Sequence, residues 1–287
     1  MEITFWGVRG SIASPGGDTV EVGGNTSSVE VRCGGERILF DAGTGIRRLG
    51  DALLNEGRVE ASILLSHLHW DHIQGLPFFV PAYVPSTKLA IYGGAHGEGS
   101  LGEAIAKQMQ APNFPVRFDD LGADIAMHEV KPGDGFSIGA ARVRVAKLNH
   151  PGTSLAYRVD CEGRSVVYAT DTEHYACVDP ALRALCEGAS VLIYDAQYTP
   201  EEYSGAPGRS KVGWGHSTYV AGAELAKSAG VGKLVLFHHD PQRSDAGVLA
   251  IERMTQALFA SSVAAREGLC LRLETSPAAR AHDRLGE

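Results

Sequence analysis

Three histidines and one aspartate lie within six residues, at His67, His69, Asp71 and His72. Imidazole nitrogens and carboxylate oxygens are the ligands that divalent transition metals take in proteins. The cluster follows the apolar run 61–65, which is typical of a short buried strand. Residues i and i+2 of an extended chain point to the same side, so His67 and His69 can converge on one ion. Asp71 and His72 come where the chain must turn, and the sequence therefore predicts a second ion beside the first.

A coincidental cluster of solvated side chains is the alternative to a metal site. With eleven histidines in 287 residues, this spacing arises by chance in roughly one chain in a thousand. Four further candidates, Asp41, His150, Asp171 and His238, each follow a short apolar run as well. The carboxyl ends of strands are where open α/β sheets place their ligand sites, so these residues are expected to meet. A set of histidines and carboxylates without cysteine suits zinc, and also manganese or iron, better than calcium or magnesium.

Short strands alternate with amphipathic segments along most of the chain, which predicts an α/β fold. The predicted strands cover residues 2–8, 27–33, 37–40, 61–65, 88–92, 142–148, 165–170, 191–194, 233–237 and 269–274. The predicted helices cover residues 46–54, 100–110, 218–229 and 247–263. Residues 111–135 are predicted to be irregular because they hold several prolines and glycines.

Length and composition favour one large domain over residues 1–275, followed by a flexible C-terminal tail over residues 276–287. The net charge of −8 argues against a protein that binds nucleic-acid polymers, because that binding is driven by lysine and arginine. The five cysteines show no CxxC spacing, so neither a disulfide framework nor a thiolate zinc site is predicted. No signal peptide and no apolar run of membrane-spanning length is found, so a soluble, cytoplasmic protein is expected.

Taken together, these motifs resemble the metallo-β-lactamase-fold hydrolase superfamily. The resemblance rests on residues 40–43 (FDAG), residues 67–72 (HLHWDH), His150, Asp171 and His238. Four stretches are similar to the ribonuclease Z and phosphodiesterase branch: residues 3–11 (ITFWGVRGS), 23–31 (GGNTSSVEV), 215–218 (GHST) and 234–241 (LVLFHHDP). The resemblance implies a four-layered αβ/βα sandwich with the site between two sheets.

The same resemblance implies a role for each site residue. It assigns His67, His69 and His150 to the first metal, Asp71, His72 and His238 to the second, and Asp171 to a bridge between them. Asp41 would lie just behind the ligands and orient them by hydrogen bonds, and His239 would either support the ligands in that way or be structural. Asp71 and His216 would be catalytic, with His216 contacting the phosphate or protonating the leaving group. Tyr198, Glu173, His174 and Trp214 are candidates for the pocket wall, although a structural role for each is at least as well supported.

We therefore expect a dinuclear metal-dependent hydrolase, in first place a phosphodiesterase that attacks small phosphodiesters or cyclic nucleotides through a metal-bridging hydroxide. Two divalent ions and two ionised aspartates leave a net charge of about +2, which favours a small anionic substrate. The alternatives are a lactonase, β-lactamase or thioesterase, an RNA-processing nuclease, and a non-catalytic metal-binding sensor. The tRNA-binding arm of ribonuclease Z cannot fit, since twenty residues separate His150 from Asp171. A homodimer is the default expectation for the assembly.

Overall fold

The computed structural model describes residues 1–95, 99–206 and 208–274. In these ranges the strands are β1 (Glu2–Gly7), β2 (Ser28–Cys33), β3 (Glu36–Phe40), β4 (Glu60–Leu64), β5 (Lys88–Gly93), β6 (Asp124–Glu129), β7 (Gly135–Ile138), β8 (Ala141–Leu148), β9 (Ser154–Cys161), β10 (Arg164–Ala169), β11 (Val191–Asp195), β12 (Lys233–Phe237), β13 (Ser262–Ala264) and β14 (Cys270–Arg272). The helices are α1 (Gly45–Leu53), α2 (Trp70–Ile73), α3 (Leu101–Gln108), α4 (Pro180–Cys186), α5 (Pro200–Ser204), α6 (Tyr219–Ser228) and α7 (Asp245–Leu258). The predicted tail, residues 276–287, lies outside the described residues.

The strands form two sheets, with the order β14-β1-β2-β3-β4-β5-β6 in the first and β13-β12-β11-β10-β9-β8-β7 in the second. Each sheet is mixed. Strands β3 to β6 run parallel in the first sheet, and β10 to β13 run parallel in the second. The parallel strands of each sheet therefore present their carboxyl ends along one edge, which is where the predicted ligands follow them.

Three hydrophobic cores separate four layers. The central core joins the facing sides of both sheets, with Phe5 and Phe40 from the first sheet against Tyr168 and Phe237 from the second. A second core packs α1 and the segment around Phe79 on the outer face of the first sheet. The third packs α4 and α6 on the outer face of the second sheet. The predicted four-layered αβ/βα sandwich is confirmed.

Three of the strand ends turn abruptly through a left-handed backbone conformation at a residue other than glycine. The φ angles are 58° at Asp41, 53° at Asp171 and 58° at His238. A side chain in this conformation costs of order 1–3 kcal/mol and persists only where the surroundings impose it. The turn carries each side chain out of the alternation of its strand and into the space between the sheets.

The structure differs from the sequence prediction in several places. Residues 111–135, predicted to be irregular, contain β6, and the strand β9 was not predicted. Strand β6 lies at the edge of its sheet and most of its side chains are exposed or half-buried, so its sequence lacks a strong apolar pattern. The predicted helix 247–263 ends at Leu258, after which the chain forms β13. Within the described ranges, no helix is long and apolar enough to cross a membrane.

Candidate metal centre

Each candidate ligand occupies the first turn after a strand. His67 and His69 follow β4 in extended backbone, and His69 is the N-terminal cap residue of α2. The one-turn helix α2 then turns Asp71 and His72 into the protein, where both are buried. His150, Asp171 and His238 follow β8, β10 and β12 of the second sheet. The two sheets thus contribute ligands from opposite sides of the central core.

The first group consists of His67, His69 and His150. One ring nitrogen from each lies within 4.8 Å of the others, and His150 Nε2 is 3.1 Å from His69 Nδ1. Burial lowers the pKa of all three histidines, that of His67 well below its usual range, which keeps the rings neutral. Three neutral imidazoles with converging nitrogens are a common ligand set for one zinc ion.

The second group consists of Asp71, His72, Asp171 and His238, whose ligand atoms also lie within 4.8 Å of one another. Asp171 faces both groups. Its Oδ1 is 3.2 Å from His72 Nε2 and 3.1 Å from His238 Nε2, whereas its Oδ2 is 3.6 Å from His67 Nε2 and 3.8 Å from His150 Nε2. Each oxygen of this carboxylate can therefore serve one ion, as a bridging ligand does.

Hydrogen bonds on the far side of the rings fix which nitrogen is free to bind a cation. Nδ1 of His72 donates to Asp41 Oδ2 at 2.7 Å, Nδ1 of His238 donates to Gln197 Oε1 at 2.9 Å, and Nδ1 of His150 donates to the Gly215 carbonyl at 2.8 Å. In a neutral ring with its proton on Nδ1, the lone pair lies on Nε2, which here points into the cluster.

This arrangement needs cations. Nε2 of His72 and of His238 each lies 3.1–3.2 Å from carboxylate oxygens, so in neutral rings acceptor would meet acceptor unless a cation or an added proton lay between them. Nε2 of His67 and of His72 is buried without a well-formed hydrogen bond. Although burial opposes it, the carboxylates of Asp71 and Asp171 raise the pKa of His72 well above its usual value, because the site attracts positive charge. The residues present fit two divalent metal ions.

Asp41 lies behind the second group and is hydrogen-bonded to His72. Its buried carboxylate accepts hydrogen bonds from the Ser66 backbone at 2.7 Å, from the Ser66 hydroxyl at 2.8 Å and from the Tyr168 hydroxyl at 2.7 Å, besides that from His72. Four donors satisfy both oxygens and leave the carboxylate no freedom to rotate. Ser66, Tyr168 and Gln197 were not assigned from sequence, since nothing in their spacing distinguishes them from ordinary strand residues.

His216 lies beside the cluster at the amino end of α6. Its Nδ1 is 2.9 Å from Asp195 Oδ2 and 3.9 Å from Asp171 Oδ2, and its ring stacks on that of His238 at 5.0 Å. Burial lowers the pKa of His216, but the Asp195 carboxylate outweighs this and raises it to about 9. His216 therefore carries a second proton at neutral pH. Asp195 is the last residue of strand β11, and Asp171 lies two residues beyond the end of β10. A carboxylate at the end of an apolar run was the available sequence signal for the role of Asp195.

His239 is placed apart from the cluster. Its buried ring donates from Nε2 to the Ala265 carbonyl at 2.9 Å, and none of its side-chain hydrogen bonds to described residues reaches a predicted ligand. Of the two roles considered for it, the structural one matches this contact. His238, by contrast, lies in the second group.

A cavity of about 440 Å³ opens onto the cluster. It is lined by Ser11, Leu68, His69, Trp70, Asp71, Asp171 and His216. None of the four predicted wall residues, Tyr198, Glu173, His174 and Trp214, is part of this lining. Glu173 instead fixes the neighbouring loop from behind, since its buried carboxylate accepts hydrogen bonds from the backbone of Gly213 at 2.7 Å and Gly215 at 2.9 Å.

Comparison with known proteins gives one family for most of the chain. Residues 36–239 match the family described as Beta-lactamase superfamily domain. The ribonuclease Z of Mycobacterium sp. (strain KMS) is 30% identical over 262 residues, which cover 84% of this chain and 85% of that protein.

Solved structures show the same fold at lower identity. The short form of human tRNase Z is 22% identical, with a TM-score of 0.66, and covers 96% of this chain and 100% of its own. A diphosphatase from the PhnP family is 20% identical, with a TM-score of 0.67, and covers 96% of this chain and 98% of its own. Both similarities cover 96% of this chain, so the fold is not confined to one part of the described residues.

Proposed function

The chain belongs to the metallo-β-lactamase superfamily, in its ribonuclease Z and phosphodiesterase-like branch, and from this premise we propose that it is a two-metal phosphodiesterase for small anionic diesters. Zinc is the first expectation for both ions, with manganese and iron as compatible replacements, because the donors are imidazole and carboxylate. His67, His69 and His150 would hold one ion, Asp71, His72 and His238 the other, and Asp171 both.

One observation carries the proposal: His216, paired with the Asp195 carboxylate, stands beside a group of converging metal ligands. His216 shares the cavity with Asp71 and Asp171, and Asp195 favours its charged form. A site with surplus positive charge and a proton donor suits a substrate that is an anion and whose leaving group is an alkoxide. A neutral lactone or β-lactam would draw less benefit from both features.

When bound, the two metal ions would supply Lewis acidity and an activated water. The protein's own groups do the rest. With Nδ1 of His216 held by Asp195, the proton available for transfer is the one on Nε2, and it would pass to the departing oxygen of the diester. The Asp195 carboxylate stabilises the charged ring before the transfer. The Ser11 backbone amide donates to Asp71 Oδ2 at 2.7 Å and holds that carboxylate in place.

An RNA-processing nuclease is the second candidate, because relatives named ribonuclease Z match most of the chain. The local chain length argues against it. The hairpin of β9 and β10 occupies nearly all of the segment between His150 and Asp171, so this segment has no residues left to form a tRNA-binding arm. The net charge of −8 also disfavours a long polyanionic substrate.

The test is a substrate panel on the metal-loaded protein. It includes bis(p-nitrophenyl) phosphate, a 3′,5′-cyclic nucleotide, a precursor tRNA, a lactone, a β-lactam and a thioester, with metal content measured by elemental analysis. We expect about two ions per chain and hydrolysis of the small diesters. The variant His150→Gln should lose metal and activity, while the exposed His128→Gln should retain both.

Cleavage of precursor tRNA but of no small diester would replace this proposal with the nuclease. Turnover only of lactone, β-lactam or thioester would point to the other hydrolases of the superfamily. Two bound ions with no turnover of any ester would support a metal-binding sensor.

A further inference from the structure

Trp70 is the most exposed of the described large hydrophobic side chains, at 79% of its full accessible surface. It also lines the cavity that opens onto the metal ligands. The described residues supply its indole with neither a hydrogen bond nor an aromatic partner. Leaving so large an apolar surface in water is unfavourable, and an aromatic side chain in a binding cavity is a common contact for flat ligands.

The position of Trp70 is fixed even though its side chain is exposed. It is the first residue of α2, and its carbonyl accepts the Gln74 amide at 2.7 Å. The next two residues, Asp71 and His72, are buried members of the second ligand group. The backbone that carries the indole therefore belongs to the most constrained part of the site, which keeps Trp70 at the rim of the cavity.

The rest of the cavity lining restricts the kind of substrate. Apart from the histidines at the ligand cluster, the described lining contains no basic residue, so a second phosphate placed away from the cluster would find no cationic side chain there. Leu68 adds an apolar surface that is half-buried. Ile12, which follows the lining residue Ser11, is 61% exposed. The volume of about 440 Å³ lies within the ~300–1,000 Å³ range of small-molecule pockets.

We propose that Trp70 is a stacking surface for a nucleobase, so that the substrate is a phosphodiester of a single nucleoside, a specificity that rests on the proposed phosphodiesterase function. The phosphate would lie at the ligand cluster and the base against the indole. Stacking suits any base because each has an aromatic face, so the site selects for the presence of a base rather than for its identity.

Two substrates that differ only in the base provide the kinetic test. They are adenosine 3′,5′-cyclic phosphate and the 3,5-cyclic phosphate of methyl riboside, which has no base. Trp70→Ala should raise the KM of the nucleotide by roughly 5- to 100-fold, the range of a lost stacking contact, and leave that of the base-free diester unchanged. Trp70→Phe should keep most of the wild-type difference in KM between the two substrates, because phenylalanine also offers an aromatic face.

Trp214→Ala is the matched control. Trp214 is also exposed, at 45%, but it packs on Lys211 at 3.9 Å and does not line the cavity. Its loss should leave the ratio of the two KM values unchanged. An equal effect of Trp70→Ala on both substrates would assign Trp70 a structural role and overturn the proposal, as would the absence of an effect on either.

A binding measurement separates this proposal from the proposed function. Adenosine 5′-phosphate should quench the tryptophan fluorescence of the metal-loaded protein, ribose 5-phosphate should not, and the quenching should disappear in Trp70→Phe. If the wild-type protein cleaved no diester, the proposed phosphodiesterase function would be rejected. The quenching experiment would still show whether Trp70 stacks on a nucleobase. Equal responses to both ligands, or quenching that persists in Trp70→Phe, would contradict nucleobase stacking.

Discussion

Asp195 is the neighbour that does most to favour a charged His216, and Asp171 and Asp71 add to its effect. The Asp195 carboxylate is itself held by the backbone amides of Thr172 at 3.2 Å and Gln197 at 3.1 Å, so it faces His216 in a fixed orientation. Its attraction outweighs the cost of burying the imidazolium and brings the pKa to about 9. A ring in this state can donate a proton across the neutral pH range.

Removal of His216 should therefore lower kcat most for diesters with poor leaving groups. We expect His216→Ala to lower kcat on diesters with alkyl leaving groups by roughly 10²- to 10⁴-fold, and on p-nitrophenyl diesters by much less, because nitrophenolate departs without a proton. The measurement is the dependence of log kcat on leaving-group pKa, with His128→Gln as the control. Equal losses across the series would remove the proton-donor role.

His239 has the opposite environment, and its effect should appear in stability. Burial above all, together with the charges of Arg9 and Arg243, lowers its pKa to about 3, against 6.5 in the unfolded chain. Below pH 6.5 the unfolded state binds a proton that the folded state does not, so the free energy of unfolding falls as pH falls toward 3.

His239 alone should lower the free energy of unfolding by about 2 kcal/mol between pH 7.5 and pH 5. Denaturant unfolding of the wild type and of His239→Gln, under identical metal conditions at both pH values, isolates it. The stability advantage of the wild type should shrink by that amount at pH 5. A difference that is independent of pH would show that His239 does not stay neutral in the fold.

At the scale of elements, two loops can pack against the ligand rings only because a glycine, which has no Cβ, stands at the point of contact. A Cβ on Gly10 would overlap the His238 ring, and one on Gly215, where φ is +83°, would overlap the His150 ring. These glycines let neighbouring loops pack directly against ligand rings.

Gly10→Ala should therefore displace His238 and weaken the second metal site. We expect a 10- to 100-fold loss of affinity for one of two ions, the range seen when the support of a ligand is disturbed, with a smaller effect on the other. Competitive titration against a chelator measures both. Gly17→Ala in the same loop is the matched control, since its Cβ would meet open space. Unchanged affinities in Gly10→Ala would mean that the loop shifts instead of the ligand.

At the scale of the whole molecule, the ligand groups join the two sheets. His67, His69, Asp71 and His72 come from the first sheet, and His150, Asp171 and His238 come from the second. Without cations the two facing carboxylates and the lone pairs of the rings repel one another across this junction. Metal binding should therefore contribute to the stability of the whole sandwich.

Chelation should lower the melting temperature. Free metal at 1,000 times its dissociation constant stabilises the folded state by ~4 kcal/mol, which for a chain of this size corresponds to on the order of 10 °C. Calorimetry with and without chelator measures the shift. His128→Gln should show the full shift and His150→Gln a reduced one. A melting temperature that does not respond to chelation would mean that the sheets are held together without the ions.

The sequence by itself determined the ligand types, their positions at strand ends and the fold class. Those features depend on local patterns: the apolar runs that form strands, and the histidine and aspartate residues that follow them. The fold and the branch were confirmed. The choice of His238 over His239 as a ligand stays a prediction, and the side chain of His238 lies among the converging groups. Edge strand β6 escaped prediction because its exposed side chains carry little apolar periodicity.

Only the tertiary structure decided how these residues act together. The proton on His72 is placed by Asp41, thirty-one residues away, and that on His238 by Gln197, forty-one residues away. The charge on His216 depends on Asp195. Trp70 is exposed because no described residue packs over its indole. Contacts between distant parts of the chain leave no periodic trace in the sequence, because each depends on a single pair of atoms that meet once the two sheets are packed.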